Sequence, residues 1–245
     1  MGQVANLRAD CQSAPSRYSR RLDALVLFDI DGTLIRRAGA HHREALVEAI
    51  RRTVGVDTTT EGVPVSGMLD RDILAIMMNR AGMKPAAIRK AMPRVVQQAQ
   101  SIYIRTVPGL ERKVCPGVRR VLSVLKRKGV VIGLVTGNLS RIGWRKMERA
   151  GLKPYFRFGA FAELANDRAG LVRLAIRRAR KEKWISRAAN ISLIGDHPND
   201  VRAAKANGIR AIAVATGLVP LEELRTHSPD VLLPDLRSLA LEMLF

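Results

Sequence analysis

Acidic residues are scarce in this chain: 22 Asp+Glu stand against 42 Lys+Arg, a formal net charge of +20 over 245 residues. Aromatic residues are only 4%, and the cysteines number 2. No stretch approaches the ~18 uninterrupted apolar residues that span a bilayer, which excludes a helical integral membrane protein. Cys11 and Cys115 are too few for a disulfide framework and too isolated for a zinc site. The opening MGQVAN puts Asn6 where a myristoylation signal needs Ser or Thr, and no apolar secretory core follows it. These absences lead to the expectation of a cytoplasmic enzyme with no membrane partner.

What is present is a globular composition, 47% hydrophobic and 26% charged, long enough for one domain of ordinary size plus a smaller inserted one. The positive charge is mostly Arg and is spread along the chain, densest over Lys113 to Lys128, Arg141 to Arg157 and Arg168 to Arg187. Such a surface steers anionic metabolites or nucleic acid toward it. Without interleaved aromatics or a nucleic-acid motif, it reads first as solvated helix faces, with nucleic-acid binding as the alternative.

Residues 1–21 are polar and basic without periodicity and read as a disordered lead-in. Leu22 to Phe28 is nearly all apolar and ends in a polar loop, the pattern of a strand buried on both faces of a parallel sheet. From Lys113 onward strands and helices alternate. Strands are expected at Val130 to Val135, Ile191 to Ile194, Ile209 to Val214 and Val231 to Leu233. Between and after them, helices are expected from Pro116 to Gly129, Leu139 to Ala150, Arg168 to Lys183, Pro198 to Asn207 and Leu236 to Leu244. The expected fold is α/β, a doubly wound parallel sheet with an inserted α-helical cap. Residues 22–35 and 113–245 would form the discontinuous core. Residues 36–112 would form the cap, with helical spacing over Glu44 to Thr53, Asp70 to Arg80 and Ala86 to Tyr103.

The chemistry gathers at strand ends. Asp29-Ile30-Asp31-Gly32-Thr33-Leu34 follows the first strand, Thr136-Gly137-Asn138 the second, and Gly195-Asp196-His197-Pro198-Asn199-Asp200 a third. In open α/β sheets ligands bind in the crevice beyond those ends. Four aspartates converging there repel one another unless a cation neutralises them, and an all-oxygen donor set selects a hard ion, Mg²⁺ first.

These three segments resemble the motifs of the haloacid dehalogenase-like hydrolase superfamily, in its phosphoglycolate-phosphatase-like branch with a helical cap. DIDGTL, VIGLVTGN and IGDHPND occur in the family's order and spacing, and the likeness covers residues 22–245. It implies that Asp29 is a nucleophile phosphorylated in turnover and that Asp31 is the general acid/base, made easier to protonate by its neighbour. Thr136 would hold the phosphoryl oxygens, with Gly137 and Asn138 also binding substrate. Asp196 would bind Mg²⁺ with Asp29 and the main-chain carbonyl of Asp31, and Asp200 would support the metal. The family's basic residue is best matched by Arg168, opening a helix; the usual KPxP form is absent. His197 replaces the more usual Thr and reads as structural rather than as a ligand. In the cap, Arg71 is a candidate for a substrate carboxylate, or else a solvated residue of a helix capped by Asp70. His41 and His42 read as hinge or surface residues. True haloacid dehalogenases lack the second aspartate, so Asp31 argues for phosphate rather than halide.

The function implied is a Mg²⁺-dependent phosphatase of a small phosphorylated metabolite. The alternatives are a phosphohexomutase of the same fold, a nucleotide or polynucleotide-end phosphatase, and a non-catalytic binding protein that retains the fold.

Overall fold

The computed structural model describes residues 22–36 and 39–245; the expected lead-in, 1–21, lies outside the described residues. The elements run β1 (Ala24–Phe28), α1 (His41–Val54), α2 (Asp70–Arg80), α3 (Pro85–Thr106), α4 (Val118–Arg127), β2 (Val131–Val135), α5 (Ser140–Arg149) and β3 (Phe158–Ala160). They continue through α6 (Arg168–Lys181), β4 (Asn190–Gly195), α7 (Pro198–Lys205), β5 (Arg210–Val214), α8 (Leu221–Thr226) and β6 (Val231–Leu233).

All strand pairings are parallel, in the order β3-β2-β1-β4-β5-β6. The central strand, β1, is apolar and buried at all five positions because helices cover both sheet faces. Each of Leu25, Leu27 and Phe28, with no exposed surface, contributes about 1.5–3 kcal/mol of apolar burial. In this order the chain leaves β1 to one side for β2 and β3, then crosses to β4 on the other. The two halves diverge beside the carboxyl end of β1, the switch point at which doubly wound sheets bind ligands.

The helices follow their apolar stripes. In α4, Val118, Val121, Leu122 and Leu125 are buried, one face at 3.6-residue spacing. Gly55 ends α1 in the left-handed conformation, at φ 71°, and returns its N–H to the Arg51 carbonyl. Pro85 starts α3, and Pro93 sits inside it, where the ring removes one backbone hydrogen bond.

One expectation is corrected, and two short elements were not expected. Leu236 to Leu244 is not one helix but two 3-10 turns, Leu236–Ser238 and Leu241–Leu244. Leu239 (ψ 119°) and Ala240 (ψ 153°) are extended and separate the two turns. The edge strand β3 and the short α8 carry too few residues to show a period, and sequence pattern misses both.

Helices α1–α3 intervene between β1 and the rest of the sheet. Their two connections to it are tied together, Arg36 N to the Lys113 carbonyl at 2.7 Å and Cys115 N to the Leu34 carbonyl at 2.9 Å. The far edge of the insertion also touches the sheet side. Asp70 N donates to the Gly137 carbonyl at 2.8 Å, and Asn199 Nδ2 to the Gly67 carbonyl at 2.7 Å. A cavity of about 600 Å³ lies between the insertion and the strand ends. Among the described residues no helix is long and apolar enough to cross a membrane.

Candidate active site

Asp29 leaves the end of β1 and is only 6% exposed. Two residues on, Asp31 faces the same cavity, its side chain 36% exposed. Between them and β4 the chain turns at Gly32, whose φ is +85°. A Cβ there would stand 2.1 Å from Asp196 Oδ2, so both the backbone angle and the close approach of Asp196 require glycine. Thr33 Oγ1 donates to Asp196 Oδ1 at 3.1 Å, which orients that carboxylate toward β1.

Asp29, Asp196 and Asp200 each place a carboxylate oxygen within 4.8 Å of the others, and all three are buried. Against them stands one guanidinium. Arg168, in the first turn of α6, reaches Asp200 Oδ1 at 2.6 Å and Asp29 Oδ1 at 3.3 Å. Burial, together with neighbouring Asp29 and Asp200, pushes the Asp196 carboxyl well above the usual range. Burial, with Asp29 also contributing, raises Asp200 although Arg168 pulls it down. One cation leaves two of the three negative charges uncompensated, and Asp29 Oδ1 receives no hydrogen bond at all. Three buried carboxylates gathered this closely form a donor set suited to a hard divalent cation.

Asp31 stands apart from that cluster, and here the arrangement departs from expectation. Lys146, in α5, is fully buried and places Nζ 2.8 and 2.6 Å from the two carboxylate oxygens of Asp31. Asn138 Nδ2 donates to the same carboxylate at 2.8 Å. Burial acts to raise the Asp31 pKa, but the Lys146 ammonium and the Asn138 amide outweigh it and hold the carboxyl below its ordinary value. The expectation that Asp31 is easier to protonate is therefore reversed in this arrangement. Its carboxylate is committed to Lys146 and Asn138, which leaves only its main chain for the metal cluster. Lys146 and Arg168 are the two buried cations among the described residues. The outer faces of α4 and α6 carry nine exposed Lys and Arg residues.

The loop after β2, expected to hold phosphoryl oxygens, lies at the cavity. Thr136 is fully buried and lines the cavity with Gly137 and Asn138. A Cβ on Gly137 would meet the Met68 carbonyl oxygen at 2.2 Å, so glycine lets the insertion settle onto this loop. The Asn138 amide holds neighbours, donating to Thr136 Oγ1 at 2.7 Å and accepting from Lys146 at 2.6 Å. His197 caps α7 through Nδ1, which accepts from Asn199 N at 3.2 Å; Asp200 completes a capping box.

Arg71 is not among the cavity-lining residues, which include the cations Arg36, Arg43 and Lys113. Neither does Asp70 cap its own helix. Its Oδ2 accepts from Leu139 N at 2.8 Å and lies 3.0 Å from His42 Nε2. Sequence reasoning missed Lys146 and His42. Lys146 lies in an Arg- and Lys-rich helix, and the only signal was its place on the face shared with Ile142 and Met147, both buried.

A family profile described as haloacid dehalogenase-like hydrolase matches residues 24–208. The chain belongs to that family and is a phosphoric monoester hydrolase. It is 28% identical over 231 residues to a phosphoglycolate phosphatase of Pseudomonas fluorescens, covering 91% of this chain and 80% of that one. A phosphoglycolate phosphatase of Synechococcus elongatus is 27% identical, with 85% and 91% covered. Among solved structures, CbbY from Rhodobacter sphaeroides shares the fold at a TM-score of 0.69 and 20% identity, over 91% of this chain and 99% of that one. A β-phosphoglucomutase from Clostridium difficile does so at 0.67 and 18%, over 90% and 94%.

Proposed function

We propose that the protein hydrolyses a small phosphorylated metabolite bearing a second anionic group, through a phosphoryl group carried transiently on Asp29, with Mg²⁺ as cofactor. The observation that carries this is Asp29 itself: a buried carboxylate at the switch point, one oxygen without a hydrogen bond, with Arg168 at 3.3 Å. A carboxylate oxygen that lines the cavity without a hydrogen bond keeps a lone pair for attack on phosphorus. Phosphoglycolate, the substrate in the relatives' names, carries a carboxylate beside its phosphate. Arg36, Arg43 and Lys113 supply the positive wall that such a second anion fits.

Phosphoryl transfer asks a protein chiefly for positioning and charge neutralisation. The Thr136 hydroxyl and Arg168 face the non-bridging oxygens, and Gly137 lets the backbone approach them. Asp29 attacks phosphorus as the bond to the leaving oxygen breaks, and Asp31 gives that oxygen its proton. Asp31 is ionised at rest. The substrate dianion beside it opposes that ionisation, so Asp31 takes up on substrate entry the proton it then donates. In the second step Asp31, ionised again, removes a proton from water; the water oxygen attacks phosphorus and Asp29 is released. Asp29, Asp196, Asp200 and the main chain of Asp31 would hold Mg²⁺, which supplies charge neutralisation between the dianion and these carboxylates.

The test is an acid-quenched single turnover followed by peptide mass analysis. One added phosphoryl group is expected on the peptide containing Asp29, and none in Asp29→Asn, whose turnover falls to background. A label on another residue, or undiminished turnover by Asp29→Asn, overturns the proposal.

A further inference from the structure

Lys146 is an unusual residue for its position. A lysine with no exposed surface costs several kcal/mol to desolvate unless every proton of its ammonium is engaged, and here each has a partner. Nζ contacts both oxygens of Asp31, Asn138 Oδ1 at 2.6 Å and His42 Nδ1 at 3.2 Å. An ammonium only donates, so His42 Nδ1 must accept and the ring proton must lie on Nε2. That nitrogen is 3.0 Å from Asp70 Oδ2, which also accepts from Leu139 N at 2.8 Å. The chain of donors therefore has one consistent direction, from Lys146 through His42 to Asp70.

The partners come from different parts of the fold. Asp31 and Asn138 follow β1 and β2, Lys146 lies in α5, and His42 and Asp70 open α1 and α2 of the insertion. The Tyr103 ring from α3 closes the remaining side, edge-on to His42 at 5.6 Å and 5.9 Å from Lys146 Nζ. Moving the insertion away would strip Lys146 of its His42 acceptor and expose the Asp31–Asn138–Lys146 group to water.

We propose that Lys146 is a positioning residue for the acid/base carboxylate, fixing Asp31 with Asn138 and tying that placement to the seated insertion through His42 and Asp70. This rests on the phosphatase reading above. Both carboxylate oxygens of Asp31 are held, so the group cannot rotate about its terminal bond without breaking two charge-assisted contacts. A misplacement of about 1 Å at such a group is worth about 100-fold in rate. Lys146 acts through Asp31, and its own ammonium has no proton free for the substrate.

The test compares leaving groups. In Lys146→Met an alkyl phosphomonoester is expected to lose about 100-fold in kcat with KM changed less than about threefold. With a dinitrophenyl ester, whose leaving group needs no proton, the first step should persist. A burst near one phenolate per enzyme is then expected, because water attack on the phosphorylated Asp29 is slowed. His42→Ala keeps the Lys146–Asp31 pair and loses the tie to the insertion; it is expected to show the same split at about one tenth of the size. Lys146→Ala with added n-propylammonium should recover alkyl-ester turnover, and with 1-propanol it should not. Equal losses on both esters without a burst, or recovery with propanol as well as with the amine, assign Lys146 a packing role and overturn the proposal. Should Lys146→Met and Lys146→Ala not fold, His42→Ala decides alone, and an unchanged ester ratio overturns it. Failure of the phosphatase reading is distinguishable, because wild-type protein would then carry no label on Asp29.

Discussion

Replacing Arg168 by Met keeps an unbranched, helix-compatible side chain and removes the only cation among the described residues that touches the three-carboxylate cluster. The guanidinium lies 2.6 Å from Asp200 and 3.3 Å from Asp29, all three side chains at most 8% exposed. At an effective dielectric of about 20, each contact is worth roughly 5 kcal/mol of gross attraction. Desolvation offsets much of this, and breaking one side of a buried pair costs a net of about 3–5 kcal/mol. In a chain of this size that is about 10 °C in melting temperature. The metal adds a sign. Without the guanidinium, the cluster attracts a divalent cation more strongly, so Mg²⁺ should stabilise Arg168→Met more than wild type and half-saturate it at lower concentration. Phosphoryl transfer itself should fall about 10²–10³-fold, the usual cost of losing one preorganised charge donor. Paired thermal melts with Mg²⁺ or chelator, beside turnover of a small phosphomonoester, read all three effects. A melting temperature unchanged in chelator, or a Mg²⁺ half-saturation shifted upward, would refute the electrostatic account of the cluster.

Asp31→Asn should accumulate phosphorylated Asp29 from an activated aryl ester while losing at least 100-fold on alkyl esters, read as burst size; equal losses on both would remove Asp31 from proton transfer. Gly32→Ala forces a Cβ to 2.1 Å from Asp196 Oδ2 at φ +85° and should cost about 3 kcal/mol or more together with most activity. Gly208→Ala, at φ +63° with open space around it, should cost only about 1 kcal/mol; similar denaturation midpoints for the two would contradict the close-approach argument. The pH dependence follows from Asp200, raised by burial from 3.8 to about 7, and from Asp196, raised likewise. A raised carboxyl pKa contributes stability that is present below the unfolded value and lost as pH rises through the folded one. The metal-free melting temperature should therefore decline from about pH 5 to pH 7.5, and the increment given by Mg²⁺ over equal ionic strength of NaCl should grow across the same range. A flat increment would count against cation binding at these carboxylates.

The fold was legible wherever one face or both faces of an element are buried over several residues. The β1 run from Ala24 to Phe28 is apolar without a break because helices cover both sheet faces. In α4 the stripe of Val118, Val121, Leu122 and Leu125 has no other explanation than a buried face. Legibility failed where elements are too short to show a period. Phe158–Ala160 becomes a strand because β2 offers its edge, and Leu236–Ser238 becomes a 3-10 turn because Asp235 caps it, accepting from Arg237 N at 2.7 Å.

The site divides along a related line. Its acidic half was legible because Asp29, Asp196 and Asp200 each stand at a strand end, and parallel strands deliver such ends to one edge. Its basic half was not. In a chain of 42 Lys+Arg the type of a residue says nothing about which cation turns inward, and that information lies in burial. Lys146 turns inward because residue 146 falls on the face of α5 that carries Ile142, and because Asp31, Asn138 and His42 meet it there. Those three partners are separated from it by 115, 8 and 104 positions. No local pattern encodes their meeting; the crossover from β1 to β2 and the return of the inserted helices create it. The same chain of contacts makes the Asp31 carboxylate depend on a histidine of the insertion, so in the proposed mechanism the segment beside the cavity also sets the geometry of the group that would protonate the leaving oxygen.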